Sequence, residues 1–147
     1  MIMGEDIYDL YEDSKYNLWI SIRMNGMYKR DVHGNFTRYR YDPSNPNNIS
    51  STQVRDFVED NFGNIWFGTF TGLNKYNPTS NQFEVYARNP LPGSMTHSSV
   101  FPVYKDRQGT IWLGTYYGGV NYFNPETDIF TVYAANNSRN DCLNYPF

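Results

Sequence analysis

Asp60-Asn61-Phe62-Gly63-Asn64-Ile65-Trp66-Phe67-Gly68-Thr69 is the stretch that decides the fold, because it occurs three times. It returns at residues 106–115 and, more loosely, at residues 13–22. All three tryptophans lie in these copies, 47 and 46 residues apart. Aromatic columns with the same period are Phe36, Phe83 and Phe130, and Tyr39, Tyr86 and Tyr133. A period in the forties is typical of an array of supersecondary units.

The middle repeat predicts four short strands, at residues 54–59, 65–69, 73–77 and 83–87. Gly63 supplies a positive φ in the first turn, and Asp60 can accept hydrogen bonds from the turn amides. In the last strand, alternation places Phe83 on one face and Tyr86 on the other. Each unit is therefore predicted to be a four-stranded antiparallel meander.

The outer repeats follow the same plan. Strands are predicted at residues 7–12, 18–22, 27–30 and 36–39, and at residues 100–105, 111–115, 120–123 and 130–133. The first repeat is the most degenerate, since Tyr16 replaces the turn glycine. A tyrosine at a positive φ is costly, so a change of turn type is one expectation at this position.

Four short strands per unit predict an all-β protein made of β-propeller blades. We assign three blades to residues 6–52, 53–98 and 99–141, and the stub of a fourth blade to residues 142–147. Together they make a partial propeller. An open arc of three blades leaves two apolar faces uncovered, and we expect these faces to bind other protein surfaces. The expected partners are therefore the remaining blades of a longer chain or other copies of this one.

The composition narrows the functional classes. Tyr, Phe and Trp number 14, 10 and 3, which favours strands, and a net charge of -3 without charged blocks predicts no nucleic-acid partner. Cys142 is the only cysteine, so no disulfide forms within the chain and no cysteine pair can hold a metal. No stretch has the length and apolar character of a membrane span or a leader sequence, so we expect no membrane insertion.

Candidate catalytic residues do not assemble into a site. Asp13, Asp60 and Asp106 recur once per blade, which favours turn capping over a carboxylate or metal cluster. His33 and His97 fall in loops of different units, and a nucleophile made from His97 and its neighbouring serines would lack a strand-to-helix elbow. We predict no catalytic residues, no metal and no cofactor.

Strand parity places the second turn of each blade and the long inter-blade loops on one face. Four residues of these turns are candidate ligand contacts: Arg23, Phe70, Tyr116 and Tyr117. Aromatic rings beside amides and hydroxyls can stack on and hydrogen-bond a sugar or another neutral polar ligand. The alternative is that these aromatic side chains simply cover neighbouring blades.

The repeat at residues 60–69, with Gly72-Leu73-Asn74-Lys75-Tyr76-Asn77 and Phe83-Glu84-Val85-Tyr86, resembles the two-component regulator propeller repeat. The third copy, at residues 111–133, matches as well. The resemblance implies the periplasmic sensor region of a hybrid two-component sensor histidine kinase, many of which respond to glycan fragments. Kinase activity cannot be carried over, because the kinase histidine motif is not in this sequence.

Two functional hypotheses follow. The first is a non-catalytic sensory segment that recognises a glycan-derived small molecule and lies in the periplasm, as the resemblance implies. The second is a self-assembling structural or protein-interaction module whose open blade faces pair with further blades. An enzyme would need nonrepeating carboxylates or histidines that converge on one face.

Overall fold

The computed structural model describes residues 4–133, which form twelve strands in three four-stranded antiparallel sheets. Sheet 1 comprises β1 (Ile7–Glu12), β2 (Leu18–Ile22), β3 (Gly26–Arg30) and β4 (Phe36–Tyr39). Sheet 2 comprises β5 (Val54–Glu59), β6 (Ile65–Thr69), β7 (Leu73–Asn77) and β8 (Gln82–Tyr86). Sheet 3 comprises β9 (Val100–Lys105), β10 (Ile111–Thr115), β11 (Gly119–Asn124) and β12 (Ile129–Tyr133). Every predicted strand is confirmed to within one residue at each end.

The first turn of each sheet is organised by an aspartate. The Asp60 carboxylate accepts hydrogen bonds from the Phe62 and Asn64 amides, both at 2.9 Å, and from the Trp66 indole at 2.8 Å. The predicted turn capping is therefore confirmed. Tyr16 keeps the same turn with a φ of 61°, so the turn type does not change in the first repeat.

The sheets pack face to face through two aromatic cores. Between sheets 1 and 2 the buried residues include Trp19, Phe57, Phe67 and Tyr76, and between sheets 2 and 3 they include Trp66, Val100, Leu113 and Phe123. Trp19 and Trp66, which the repeat places at equivalent positions, therefore belong to the two inter-blade cores. Trp112 lies on the face of sheet 3 that points away from sheet 2, and it is only half-buried.

β5 lies against both β1 and β9, so the three sheets converge along their first strands. Three meanders that fan out from their first strands are blades of a propeller, and the predicted fold class is confirmed. The proposed stub at residues 142–147 and the end of the third blade lie outside the described residues. No helix in the described part of the chain has the length and apolar character needed to cross a membrane.

Candidate ligand-binding face

One face of the array carries the second turn of every sheet together with the loops between sheets, and we call it the upper face. Hydrogen bonds join the two kinds of loop directly. The Thr71 hydroxyl donates to the Ser50 carbonyl at 2.7 Å, and the Tyr116 amide donates to the Ser99 carbonyl at 3.0 Å. The predicted co-location of these loops is therefore correct.

A buried asparagine fastens each inter-sheet loop to the upper end of the sheet that follows it. Asn74 is fully buried, and it accepts from the Ser50 amide at 2.9 Å and donates to the Ser50 hydroxyl at 2.8 Å. Asn121 repeats the arrangement with Thr96, at 3.1 Å and 3.0 Å. Because the asparagine of each bond is held in a strand, β7 or β11, the bond anchors the upper loop to the sheet.

β-bulges aim further side chains at the upper face. The register of β5 on β6 skips Arg55, and the register of β9 on β10 skips residues 101 and 102. An unpaired bulge residue is turned away from the regular pleat. As a result, the Arg55 guanidinium lies 5.7 Å from the ring centroid of Phe70 and 5.3 Å from that of Phe101. Both rings remain exposed, and Arg55 beside them is half-buried.

A second aromatic group lies at the corresponding turn of sheet 3. The rings of Tyr116 and Tyr117 meet edge to face at a centroid distance of 4.3 Å, and the His97 ring lies 6.2 Å from that of Tyr116. All three side chains are exposed. The hydrogen bond and charge of Tyr117 raise the pKa of the Tyr116 phenol.

The four predicted contact residues all lie on the upper face, but in separate groups. Phe70 joins Arg55, the two tyrosines join His97, and Arg23 lies in the turn of sheet 1, where its guanidinium is 3.7 Å from the Asp6 carboxylate. Sequence reasoning missed Arg55 and Phe101, because it treated them as ordinary strand residues. Whether these residues bind a ligand stays a prediction.

The opposite, lower face carries a cavity that the sequence analysis did not predict. It lies between sheets 2 and 3 and has a volume of about 350 Å³. Its lining includes Trp66, Lys75, Glu84, Tyr86, Phe123 and Asp128. The Lys75 ammonium lies 3.2 Å from Glu84 and over the Trp66 ring, and the Tyr86 hydroxyl donates to Glu84 at 2.9 Å. Burial and the bond to Glu84 raise the pKa of Tyr86. These polar groups already satisfy one another.

Within the described residues, His97 and its two neighbouring serines form hydrogen bonds with backbone amides and do not form a nucleophilic site. His97 accepts the Ser99 amide through Nδ1 at 3.0 Å, and the Ser98 hydroxyl accepts the Arg88 amide at 2.9 Å. Among residues 4–133, no group of three His, Cys, Asp or Glu side chains is placed to hold a metal ion.

Two segments of the chain, residues 48–71 and 94–117, match the family model described as two component regulator propeller. Each segment runs from an inter-sheet loop through the first two strands to the upper turn. The resemblance inferred from the repeat is therefore confirmed. A search of curated proteins found no significant match.

Solved structures share the fold. The extracellular domain of a putative hybrid two component system from B. thetaiotaomicron aligns with 89% of this chain at 20% identity and a TM-score of 0.58. A second such domain from that organism aligns with 90% at 16% identity and a TM-score of 0.50. Virginiamycin B lyase from Staphylococcus aureus aligns with 89% at 17% identity and a TM-score of 0.67. The chain spans 24%, 24% and 42% of these proteins, respectively.

Proposed function

We propose that this chain, which carries two-component regulator propeller repeats, is a non-catalytic recognition segment of an extracytoplasmic sensor. The family match and the likeness to extracellular domains of two-component systems support the sensory role. A periplasmic location forms part of the same proposal. The observation that carries it is the cluster on the upper face in which half-buried Arg55 lies beside the exposed rings of Phe70 and Phe101.

The proposed ligand is a glycan-derived oligosaccharide. Sugar rings present apolar C–H faces that stack on exposed aromatic rings such as Phe70 and Phe101. The Arg55 guanidinium offers several fixed donors to hydroxyl or carboxylate oxygens of the ligand. The tyrosine pair of sheet 3 supplies further ring surface and two hydroxyls.

The non-catalytic part of the proposal rests on what the repeated carboxylates do. Asp13, Asp60 and Asp106 each accept the indole N–H of a tryptophan in their own sheet, at 2.9, 2.8 and 2.7 Å. A carboxylate that accepts hydrogen bonds from its own turn and from an indole has a structural role. The similarity to virginiamycin B lyase concerns the fold, which hosts many unrelated functions.

Calorimetric titration of the 147-residue chain with two probes tests the proposal. Maltohexaose represents neutral oligosaccharides and tetragalacturonic acid represents acidic ones. We expect at least one probe to bind, and we expect Phe70→Ala and Arg55→Ala to weaken its binding at least tenfold while the circular dichroism spectrum is unchanged. Loss of affinity for both probes in Arg55→Ala but only partial loss in Phe70→Ala would identify the guanidinium as the main contact.

Phe62→Ala is the matched control, because Phe62 is a more exposed phenylalanine on the lower face of the same sheet. It should leave the affinity unchanged. Binding that is lost in Phe62→Ala but kept in Phe70→Ala would move the site to the lower cavity and contradict the upper-face proposal. If neither probe binds, the proposal of glycan recognition is wrong.

A further inference from the structure

Each sheet has a front face toward the preceding sheet and a rear face toward the following one. The rear face of sheet 1 carries Trp19 and Tyr39, and it packs on Phe57, Tyr76 and Phe83 of the front face of sheet 2. The rear face of sheet 2 and the front face of sheet 3 repeat this contact. In the described residues, the front face of sheet 1 and the rear face of sheet 3 have no such partner.

The unpaired rear face of sheet 3 is already built like the two paired ones. Trp112 stacks on Tyr133 at a centroid distance of 6.0 Å and an interplanar angle of 27°. The equivalent stacks are Trp19 on Tyr39, at 6.0 Å and 20°, and Trp66 on Tyr86, at 5.7 Å and 19°. The aromatic surface that accepts a following blade is therefore in place before any blade covers it.

The front face of sheet 1 offers the complementary apolar surface. Leu10 is 59% exposed, whereas Phe57 and Val103, at the same position of sheets 2 and 3, are 4% and 5% exposed. Phe36 is 52% exposed, whereas its counterpart Phe130 is 7% exposed. Leu10 and Phe36 therefore occupy positions that are buried at an interface in the other sheets. In sheet 1 no neighbouring blade covers them within the described residues.

A polar contact between equivalent positions lies at the lower rim of each of the two interfaces. At the first interface the Ser14 amide and hydroxyl donate to Glu59, at 2.7 and 2.6 Å. At the second, the Lys105 ammonium donates to the Asn61 side chain at 3.3 Å. Both contacts join the residue after the turn aspartate to the last residue of the next first strand.

The same two positions on the unpaired faces carry opposite charges. Arg107 follows the turn aspartate of sheet 3, and Glu12 ends the first strand of sheet 1. Arg30 stands where Tyr76 and Phe123 lie in the other sheets, so it would face Trp112, in an arrangement that suits a guanidinium over an indole. Charge and aromatic surface therefore match between the two unpaired faces of this chain.

We propose that two copies of this chain associate head to tail, with the rear face of sheet 3 of each copy packed on the front face of sheet 1 of the other. Closure requires as many interfaces as blades, and propellers contain four to eight blades. Because each copy supplies three blades in its described part, two copies give a six-bladed ring and three copies exceed the range. A ring that closes with two identical contacts ends at the dimer.

Light scattering after size exclusion, over a concentration series of the 147-residue chain, measures the assembly. We expect a discrete species of about twice the 17.2 kDa chain mass that dissociates on dilution. Arg107→Glu places a second carboxylate against Glu12 at both contacts, and Glu12→Arg places a second guanidinium against Arg107. Each single variant should raise the dimer dissociation constant at least tenfold.

Mixing the two variants provides the decisive test. A mixed dimer has the native Arg107–Glu12 pair at one contact and the reversed pair at the other, so an equimolar mixture should recover the dimer. The double variant should recover it for the same reason. Arg88→Glu, which changes an exposed arginine in an inter-sheet loop, is the matched control and should dimerise like the unmodified chain.

The proposal is wrong if the chain remains a monomer at every concentration, in which case blades of another chain or of a longer polypeptide cover these faces. It is also wrong if larger species without a fixed mass form, or if the mixture of variants does not recover the dimer. The glycan titration reports on the upper face and does not depend on the assembly state, so failure of one proposal is distinguishable from failure of the other.

Discussion

Trp66 donates its indole N–H to the carboxylate of Asp60 at 2.8 Å. The same bond joins Trp19 to Asp13 and Trp112 to Asp106. One carboxylate therefore closes the turn and also fixes the orientation of the tryptophan that packs on the next sheet. The repeat couples the local geometry of each blade to the contact between blades.

Replacement of Asp60 by alanine tests this coupling. We expect the free energy of unfolding to fall by about 2–4 kcal/mol, because the change removes the turn cap and leaves the buried indole N–H without an acceptor. Urea denaturation followed by tryptophan fluorescence measures the loss. Glu126→Ala, at an exposed turn residue, should change the value by less than about 0.5 kcal/mol. Equal losses in the two variants would contradict the coupling.

Stability should also depend on acid pH through the carboxylates of Asp13 and Asp106. Burial alone would raise the pKa of Asp13, but hydrogen bonds from Trp19 and Asn17 and from backbone amides outweigh it and lower the pKa. The bond from Trp112 lowers the pKa of Asp106. A pKa that is lower in the folded state gives stability that is complete above the unfolded value of about 3.9 and is lost as pH falls through the folded value.

The melting temperature should therefore stay level from pH 7 to about pH 5 and fall below about pH 4. Asp13→Asn and Asp106→Asn should each make the acid fall shallower, because one fewer group takes up a proton on unfolding. Thermal melts followed by circular dichroism between pH 7 and pH 2.5 measure both curves. Parallel curves for the variants and the unmodified chain would show that other carboxylates govern the acid transition.

Gly68 and Ser21 occupy equivalent positions and should respond in opposite ways. A Cβ on Gly68 would lie 2.7 Å from the Val100 carbonyl oxygen of the next sheet, so Gly68→Ala should reduce the free energy of unfolding by about 1–3 kcal/mol. The Ser21 hydroxyl is buried without a hydrogen-bond partner. Its removal in Ser21→Ala should raise stability by about 1 kcal/mol. Urea denaturation of both variants at one protein concentration provides the comparison.

The regular parts of this fold were predictable from the sequence. Strand bounds followed from turn residues such as Gly63 and from alternation around Phe83, because these signals act over a few residues. The propeller followed from the spacing of the tryptophans. The Asp60–Trp66 bond was not predicted, although the constant separation of aspartate and tryptophan in all three repeats was a signal that could have indicated it.

The candidate site was less predictable. The upper turns and their exposed aromatic residues followed from strand parity. The position of Arg55 did not, because it depends on a β-bulge that no glycine, proline or other turn residue marks in the sequence. The lower cavity depends on how Phe123 and Asp128 of one sheet meet Lys75 and Glu84 of another. Contacts between sheets depend on packing angles, which a single sequence does not specify.

Tyr16 is strained in a turn where the other repeats have glycine. Its φ is 61°, a conformation that costs a residue with a Cβ about 1–2 kcal/mol, and its ring is exposed, so little packing is lost on its removal. Glycine accepts this conformation but loses more entropy on folding, by about 0.5–1 kcal/mol. Tyr16→Gly should therefore raise the free energy of unfolding by about 0.5–1 kcal/mol.

The reverse change in the middle repeat is the matched control for Tyr16→Gly. Gly63 has a φ of 81°, and a Cβ there would meet only the Glu59 side chain at 3.6 Å, so Gly63→Ala introduces backbone strain without a clash. It should lower stability by about 1 kcal/mol. Urea midpoints for the two variants should shift in opposite directions. If Tyr16→Gly is destabilising, the tyrosine ring contributes packing that outweighs the strain of its backbone.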